Sequence, residues 1–167
     1  MKTLYYISVY LHILSAMIWI GGMVFLGLVL VPVVRKPPFE KVASRLIEWT
    51  GTRFRTIGWI VLSTLVATGI INLAYRFGWA GLIDGSIFRG QFGSTLGHKL
   101  FFVGAIFITS AIHDFYVGPK ATELWERGET DNASKYRKRA SIFGRINLVL
   151  ALFVLFFAIM LVRGTPW

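Results

Sequence analysis

Cysteine is absent from this 167-residue chain, and its absence removes several chemistries at once. Disulfides, thiolate metal centres and Cys-x-x-Cys-His attachment of a c-type haem are all excluded. Any metal has to be held by histidine, methionine, carboxylate or backbone groups. Acidic residues are scarce too: eight Asp and Glu stand against 18 Lys and Arg, for a net charge of +10. Charge of either sign is missing altogether from Leu4 to Val34, Thr56 to Tyr75, Leu100 to Ile112 and Ile146 to Val162. The first run is 31 residues long, well beyond the ~20 residues that cross a bilayer.

These runs define the class of protein. Backbone groups in lipid must satisfy one another, so the runs are helices, and the weak alternation of a membrane β-barrel is missing. The expected fold is all-α, an up-and-down four-helix membrane bundle in one domain, 1–167, with helices near 4–34, 54–76, 93–118 and 141–163. Four spans leave no length for a soluble catalytic domain, so any chemistry belongs within the helices or at their rims. The N-terminal run is too long for a secretory signal and no small-x-small cleavage pattern follows it, so it is expected to remain as the first helix. No internal repeat or low-complexity segment is present.

The positive charge is distributed as a membrane protein distributes it. Thirteen basic residues, among them Arg35, Lys36, Arg53, Arg55, Lys120, Arg137 and Arg145, flank the connections from helix one to two and from three to four. Only Lys2, Arg76, Arg89, Lys99 and Arg163 fall on the other side. The positive-inside rule then places both termini outward and the basic face against anionic lipid, with no role for nucleic acid. A multi-pass protein of a bacterial inner (plasma) membrane is expected.

The connections have their own patterns. Pro37-Pro38 stops helix one, and 38–50 alternates apolar and charged residues at a helical period, as an inner interfacial segment would. Gly78 to Gly97 is expected to be an outer loop, with Trp79, Phe88 and Phe92 at headgroup depth. Gly128 to Asn132 reads as a turn, with Asp131 or Asn132 capping a basic extension of helix four.

Three histidines carry the functional signal, because an ionisable side chain within a span is a functional candidate by default. His12 lies about 12 Å in from Leu4 by helical rise, and His98 and His113 lie 15 residues apart in helix three, about 22 Å along its axis. His12 shares a helix side with Ser15, Trp19, Gly22 and Met23. Small residues such as Gly22 admit either a neighbouring helix or a flat cofactor. Helices one and three run in the same direction in an up-and-down bundle, so His12 and His98 both belong to the outer half. Two imidazoles from two helices are a standard clamp for haem b; alternatively His98, beside Lys99, marks a wet helix end. At the inner level Asp114 is placed either to orient His113 or to leave it as a lone axial ligand. Arg53, Arg55 and Arg145 lie at that depth, suited to Asp114 or to haem propionates. A polar knot that locks helix ends is the competing explanation of that group.

Several short motifs resemble the CopD-like family of membrane proteins. Leu11-His12, Trp19-Ile20-Gly21-Gly22 and Pro32 are similar to its first helix, and Arg53-Phe54 and Thr68-Gly69 to its second. Gly97-His98-Lys99-Leu100, His113-Asp114-Phe115 and Gly118-Pro119 are similar to its third, and Arg145-Ile146-Asn147 and Arg163-Gly164 to its fourth. His12, Trp19, Lys99 and Arg145-Ile146-Asn147 also resemble the distantly related HemJ-type protoporphyrinogen oxidases. The resemblance implies either copper handling or haem-associated chemistry. From the histidines the first expectation is a b-type haem redox protein or subunit that passes electrons to a quinone or a partner protein. His12, His98 and His113 are its metal ligands, and Trp19, Gly22, Lys99, Arg53 and Arg145 line the cofactor. The alternatives are copper handling through His12, Met17, Met23 and His98, since thioethers select Cu(I), and a non-catalytic subunit of a larger membrane complex.

Overall fold

The computed structural model describes residues 2–164, the side chains of Glu40, Lys41 and Ser44 excepted. Four long helices account for nearly all of them: α1 (Lys2–Val34), α2 (Glu40–Ile83), α3 (Gly90–Glu126) and α4 (Thr130–Arg163). No strand occurs among the described residues. Each helix has the length and apolarity needed to cross a membrane.

The helices extend beyond the apolar runs that signal them. Hydropathy marks where lipid is met, whereas a helix ends only where the backbone is stopped. No proline and no positive-φ residue lies between Glu40 and Tyr75, so the expected interfacial segment at 38–50 is part of α2 from Glu40 on, after a 3-10 turn at Pro37–Phe39. At 44 residues α2 is about 66 Å long, roughly twice the ~30 Å hydrocarbon core. It therefore projects well past the bilayer. The first break comes at Gly78, where φ is +74° and ψ 162°, a conformation that only glycine adopts cheaply. One further helical turn follows, and Asp84 then accepts a hydrogen bond from the Ser86 N–H at 2.8 Å. Most of the outer loop expected at Gly78–Gly97 is therefore helix, and the non-helical connection is limited to a few residues around a short 3-10 turn, Ser86–Phe88.

α1 and α3 share a device. Each contains a π-helical stretch, Phe25–Leu30 and His113–Val117, just before a proline. The Val31 N–H reaches Leu26 O and the Gly118 N–H reaches His113 O, one residue further back than in an α-helix. Pro32 and Pro119 explain both: each lacks an N–H and its ring presses on the carbonyl four residues earlier, so the turn before it widens. α3 then ends in a Schellman motif. Gly128, at φ +79°, donates to Trp125 O at 3.0 Å and Glu129 donates to Leu124 O at 3.0 Å. α4 begins at Thr130 with Glu129 as its N-cap and no side-chain cap bond. The expected cap from Asp131 or Asn132 is thus corrected. Asp131 instead sits in the first turn, where its charge suits the helix dipole, and Asn132 Nδ2 donates to Glu129 Oε2 at 2.9 Å.

The chain forms two compact units, Met1–Ile87 and Phe88–Trp167. Each is an antiparallel hairpin. In the first, Tyr5 stacks on Tyr75 with centroids 4.4 Å apart, and further along α1 the Phe54 ring lies against Gly22. In the second, Phe102 stacks on Phe153 at 4.9 Å, His98 on Phe157 at 5.5 Å, and the Arg137 guanidinium covers Trp125 at 4.3 Å.

Candidate functional site

In the first hairpin the α1 face at Ser8, Ser15 and Trp19 is buried, with His12 half-buried on the same stripe. α2 answers with Thr64, Thr68 and Asn72, four residues apart and so on one face. His12 Nδ1 lies 2.8 Å from Thr68 Oγ1. The Thr68 hydroxyl proton is committed to Thr64 O at 2.6 Å, so Thr68 Oγ1 accepts and His12 Nδ1 donates. In the neutral ring the lone pair then resides on Nε2. Ser8 Oγ donates to Thr68 O at 3.3 Å, adding a second tie between the helices at this level. Gly69 allows the His12 ring to approach, with Cε1 3.5 Å from where a Cβ would stand. One turn further along α2, Asn72 Oδ1 is buried without a hydrogen-bond partner.

Other expected site residues of this hairpin have identifiable neighbours. Gly58 makes room for the buried Trp19, whose Nε1 is 3.7 Å from the position of a Cβ there. Gly22 has the Phe54 ring packed directly on it, so its missing side chain accommodates an aromatic ring of α2. Arg53 is exposed, as is Met17, while Met23 is half-buried.

In the second hairpin His98 Nδ1 lies 2.8 Å from Ser94 O. A carbonyl only accepts, so Nδ1 donates and Nε2 again holds the lone pair of the neutral ring. The ring is braced against Phe157, with 14° between the planes. His98 and Met160 line one cavity of about 310 Å³ together with Gln91, Ser94, Thr95, Phe156 and Phe157. Lys99 beside it is half-buried. His113 begins the π-helical stretch of α3, and its Nδ1 donates to Asp114 Oδ1 at 2.6 Å. The expected orienting contact from Asp114 is therefore present, and π-helical turns recur at functional sites. Arg145 is exposed. Between the two histidine levels, Asn147 of α4 accepts from Thr109 Oγ1 and donates to Ser110 Oγ at 3.0 Å.

All three imidazoles thus have Nδ1 held by an oxygen acceptor, from Thr68, Ser94 and Asp114. This is the arrangement that orients a histidine to ligate through Nε2. Among the described residues no group of three or more His, Cys, Asp or Glu gathers to hold a metal, so any site here must be completed by softer or neutral donors. Thr68, Asn72 and Ser94 were not singled out as site residues by sequence reasoning. The signal for the first two was present: Thr64, Thr68 and Asn72 form a polar stripe of period four through an otherwise apolar run.

These features define a polytopic helical membrane protein with histidines oriented by Nδ1 hydrogen bonds in both hairpins. The family described as Copper resistance protein D, CopD, matches residues 49–161, about two thirds of the chain, and the protein belongs to that family. It is also similar to an uncharacterized protein of Aquifex aeolicus (strain VF5), 32% identical over 156 residues and covering 93% of each chain. No solved structure matches.

Proposed function

We propose that this protein handles copper in a bacterial inner membrane, binding it within the spans and passing it along them, with both termini outward. The observation that carries the reading is the common orientation of His12, His98 and His113, each with Nδ1 donating to an oxygen, the neutral tautomer whose lone pair is on Nε2. Membership of a family described by copper resistance supports copper as the metal, and Met17, Met23 and Met160 supply thioethers within the spans, the donor type that selects Cu(I). Copper is the cargo in this reading, so transient sites with few ligands suit it better than a closed cage.

The test is copper accumulation in cells expressing the wild-type protein or His12→Ala, normalised to membrane content. Replacing His12 is expected to reduce accumulation severalfold; unchanged accumulation would overturn the reading. Haem b on the same imidazoles, with a quinone or partner protein as electron acceptor, is the second reading, and the same Nε2 orientation favours it. Oxidised and reduced optical spectra with parallel iron and copper analysis separate the two. A sharp reduced α-band with stoichiometric iron selects haem, and a colourless protein that retains copper selects copper handling.

A further inference from the structure

Met160 is the one in-span methionine that is buried, at 7% exposure, and it lies three residues from the end of α4. It shares its cavity with His98, a ring already fixed in two ways: by the Nδ1–H bond to Ser94 O at 2.8 Å and by the Phe157 stack. Since Nδ1 is turned to the α3 backbone, Nε2 lies on the opposite edge of the ring, away from the Ser94 carbonyl. Thr95, also on the cavity wall, has its hydroxyl committed to Gln91 O at 3.0 Å, and Phe156 and Phe157 supply apolar wall. No carboxylate lines the cavity. A site whose soft and borderline donors are one imidazole nitrogen and one thioether, with no acid to balance a second charge, discriminates against hard or divalent ions and in favour of a soft monovalent one.

We propose that His98 Nε2 and Met160 Sδ form a Cu(I)-binding site in the second hairpin, at the α3–α4 end nearest the connection to α2. This site rests on the copper reading above and makes it specific. It differs from the pairing of His98 with Met17 and Met23 expected from sequence, because the thioether comes from α4. The preformed tautomer and the stacked ring remove part of the ordering cost of ligation. The polar cluster of Asn147, Thr109 and Ser110 deeper in the same hairpin is not a competing site, since its groups satisfy one another.

The experiment is anaerobic competition of the detergent-purified full-length protein with a chromophoric Cu(I) chelator. Wild type is compared with Met160→Leu, His98→Gln and His12→Ala. Leucine conserves the volume of methionine, so Met160→Leu removes the sulfur while leaving the packing of α4 intact. Met160→Leu and His98→Gln are each expected to weaken Cu(I) binding at least tenfold, and the double variant to be no weaker than the worse single, because one ion is shared. Wild-type affinity in Met160→Leu, with His12→Ala impaired, overturns the site and leaves the copper reading standing. A wild-type protein that takes no Cu(I) from the chelator overturns both.

Discussion

The two hairpins solve one packing problem with different materials. The first brings α1 and α2 together through hydroxyls and glycines: Ser8 and His12 meet Thr68, Trp19 sits over Gly58, and Phe54 covers Gly22. The second brings α3 and α4 together through flat rings and one amide: Phe102, Phe153, Phe157 and His98 stack, and Asn147 bonds Thr109 and Ser110. Lipid tails are as apolar as leucine, so helices in a bilayer associate through close packing and interhelical hydrogen bonds rather than burial from water. Either material serves. The difference lies in what happens to histidine. In the first hairpin the imidazole makes an interhelical hydrogen bond, whereas in the second Asn147 makes those bonds, the His98 and His113 Nδ1 groups are held within α3, and His98 meets α4 through its ring stack on Phe157.

The sharpest way to break the comparison is at the two crowded glycines. A Cβ at Gly93 would collide with the Phe88 backbone, while one at Gly22 would collide with the Phe54 ring. A ring can rotate aside and a backbone cannot. Gly93→Ala is therefore expected to cost about 3 kcal/mol or more and Gly22→Ala about 1 kcal/mol, read as thermal unfolding in detergent. Equal costs would show that the Phe54 ring is held as rigidly as a main chain.

Metal affinity should separate the hairpins next. Thr68→Val removes the acceptor that holds His12 Nδ1 and leaves the histidine in place, so a loss of about tenfold in copper affinity is expected. Asp114→Asn retains a side-chain oxygen that accepts from His113, and its effect should be smaller. The reverse order, measured by the same chelator competition, would make the inner level the dominant site.

Asn147→Leu tests the tie of the second hairpin. An interhelical hydrogen bond within a bilayer contributes about 0.6 kcal/mol, with about 1.7 at most, so a loss near 1 kcal/mol is expected from its two partners. Denaturant titration in mixed micelles measures it, and a neutral result would assign the pairing of α3 and α4 to the aromatic stack alone.

The smallest effect belongs to the connection after α2. The Ser86 backbone N–H holds the Asp84 carboxyl below the usual aspartate range. A carboxyl depressed in the folded state adds stability above its unfolded pKa, and that contribution is lost as pH falls through the lowered value. Asp84 is fully exposed, so the change is slight. Asp84→Ala should remove this small contribution at neutral pH and so flatten the acid limb of the stability profile, a slight loss at pH 6 that shrinks toward pH 3 in melting curves.

Much of the fold was legible in order along the chain. Four charge-free runs place four helices, because a chain in lipid has no other way to satisfy its backbone. Pro32 and Pro119 mark where α1 and α3 loosen, and Gly128 marks where α3 stops. Helix ends were less legible: residues 40–50 and 119–126 continue as helix through charged sequence, since charge signals the membrane edge and not the end of a helix. Of the site, His113 with Asp114 was readable because the partner is adjacent, and His98 with Ser94 was available because the spacing is one turn.

By itself, then, the sequence determined the membrane class, the helix count, the chemistry open to a chain without cysteine, and the contact between the neighbours His113 and Asp114. Only the tertiary structure decided that His12 donates to a hydroxyl 56 residues away, that an aromatic ring covers Gly22, and that the thioether beside His98 is Met160. The physical reason is the direction of each determinant. Backbone satisfaction in lipid acts along one helix and can be read from consecutive residues, whereas ligand geometry depends on the register between two helices, which side-chain shapes on both set together.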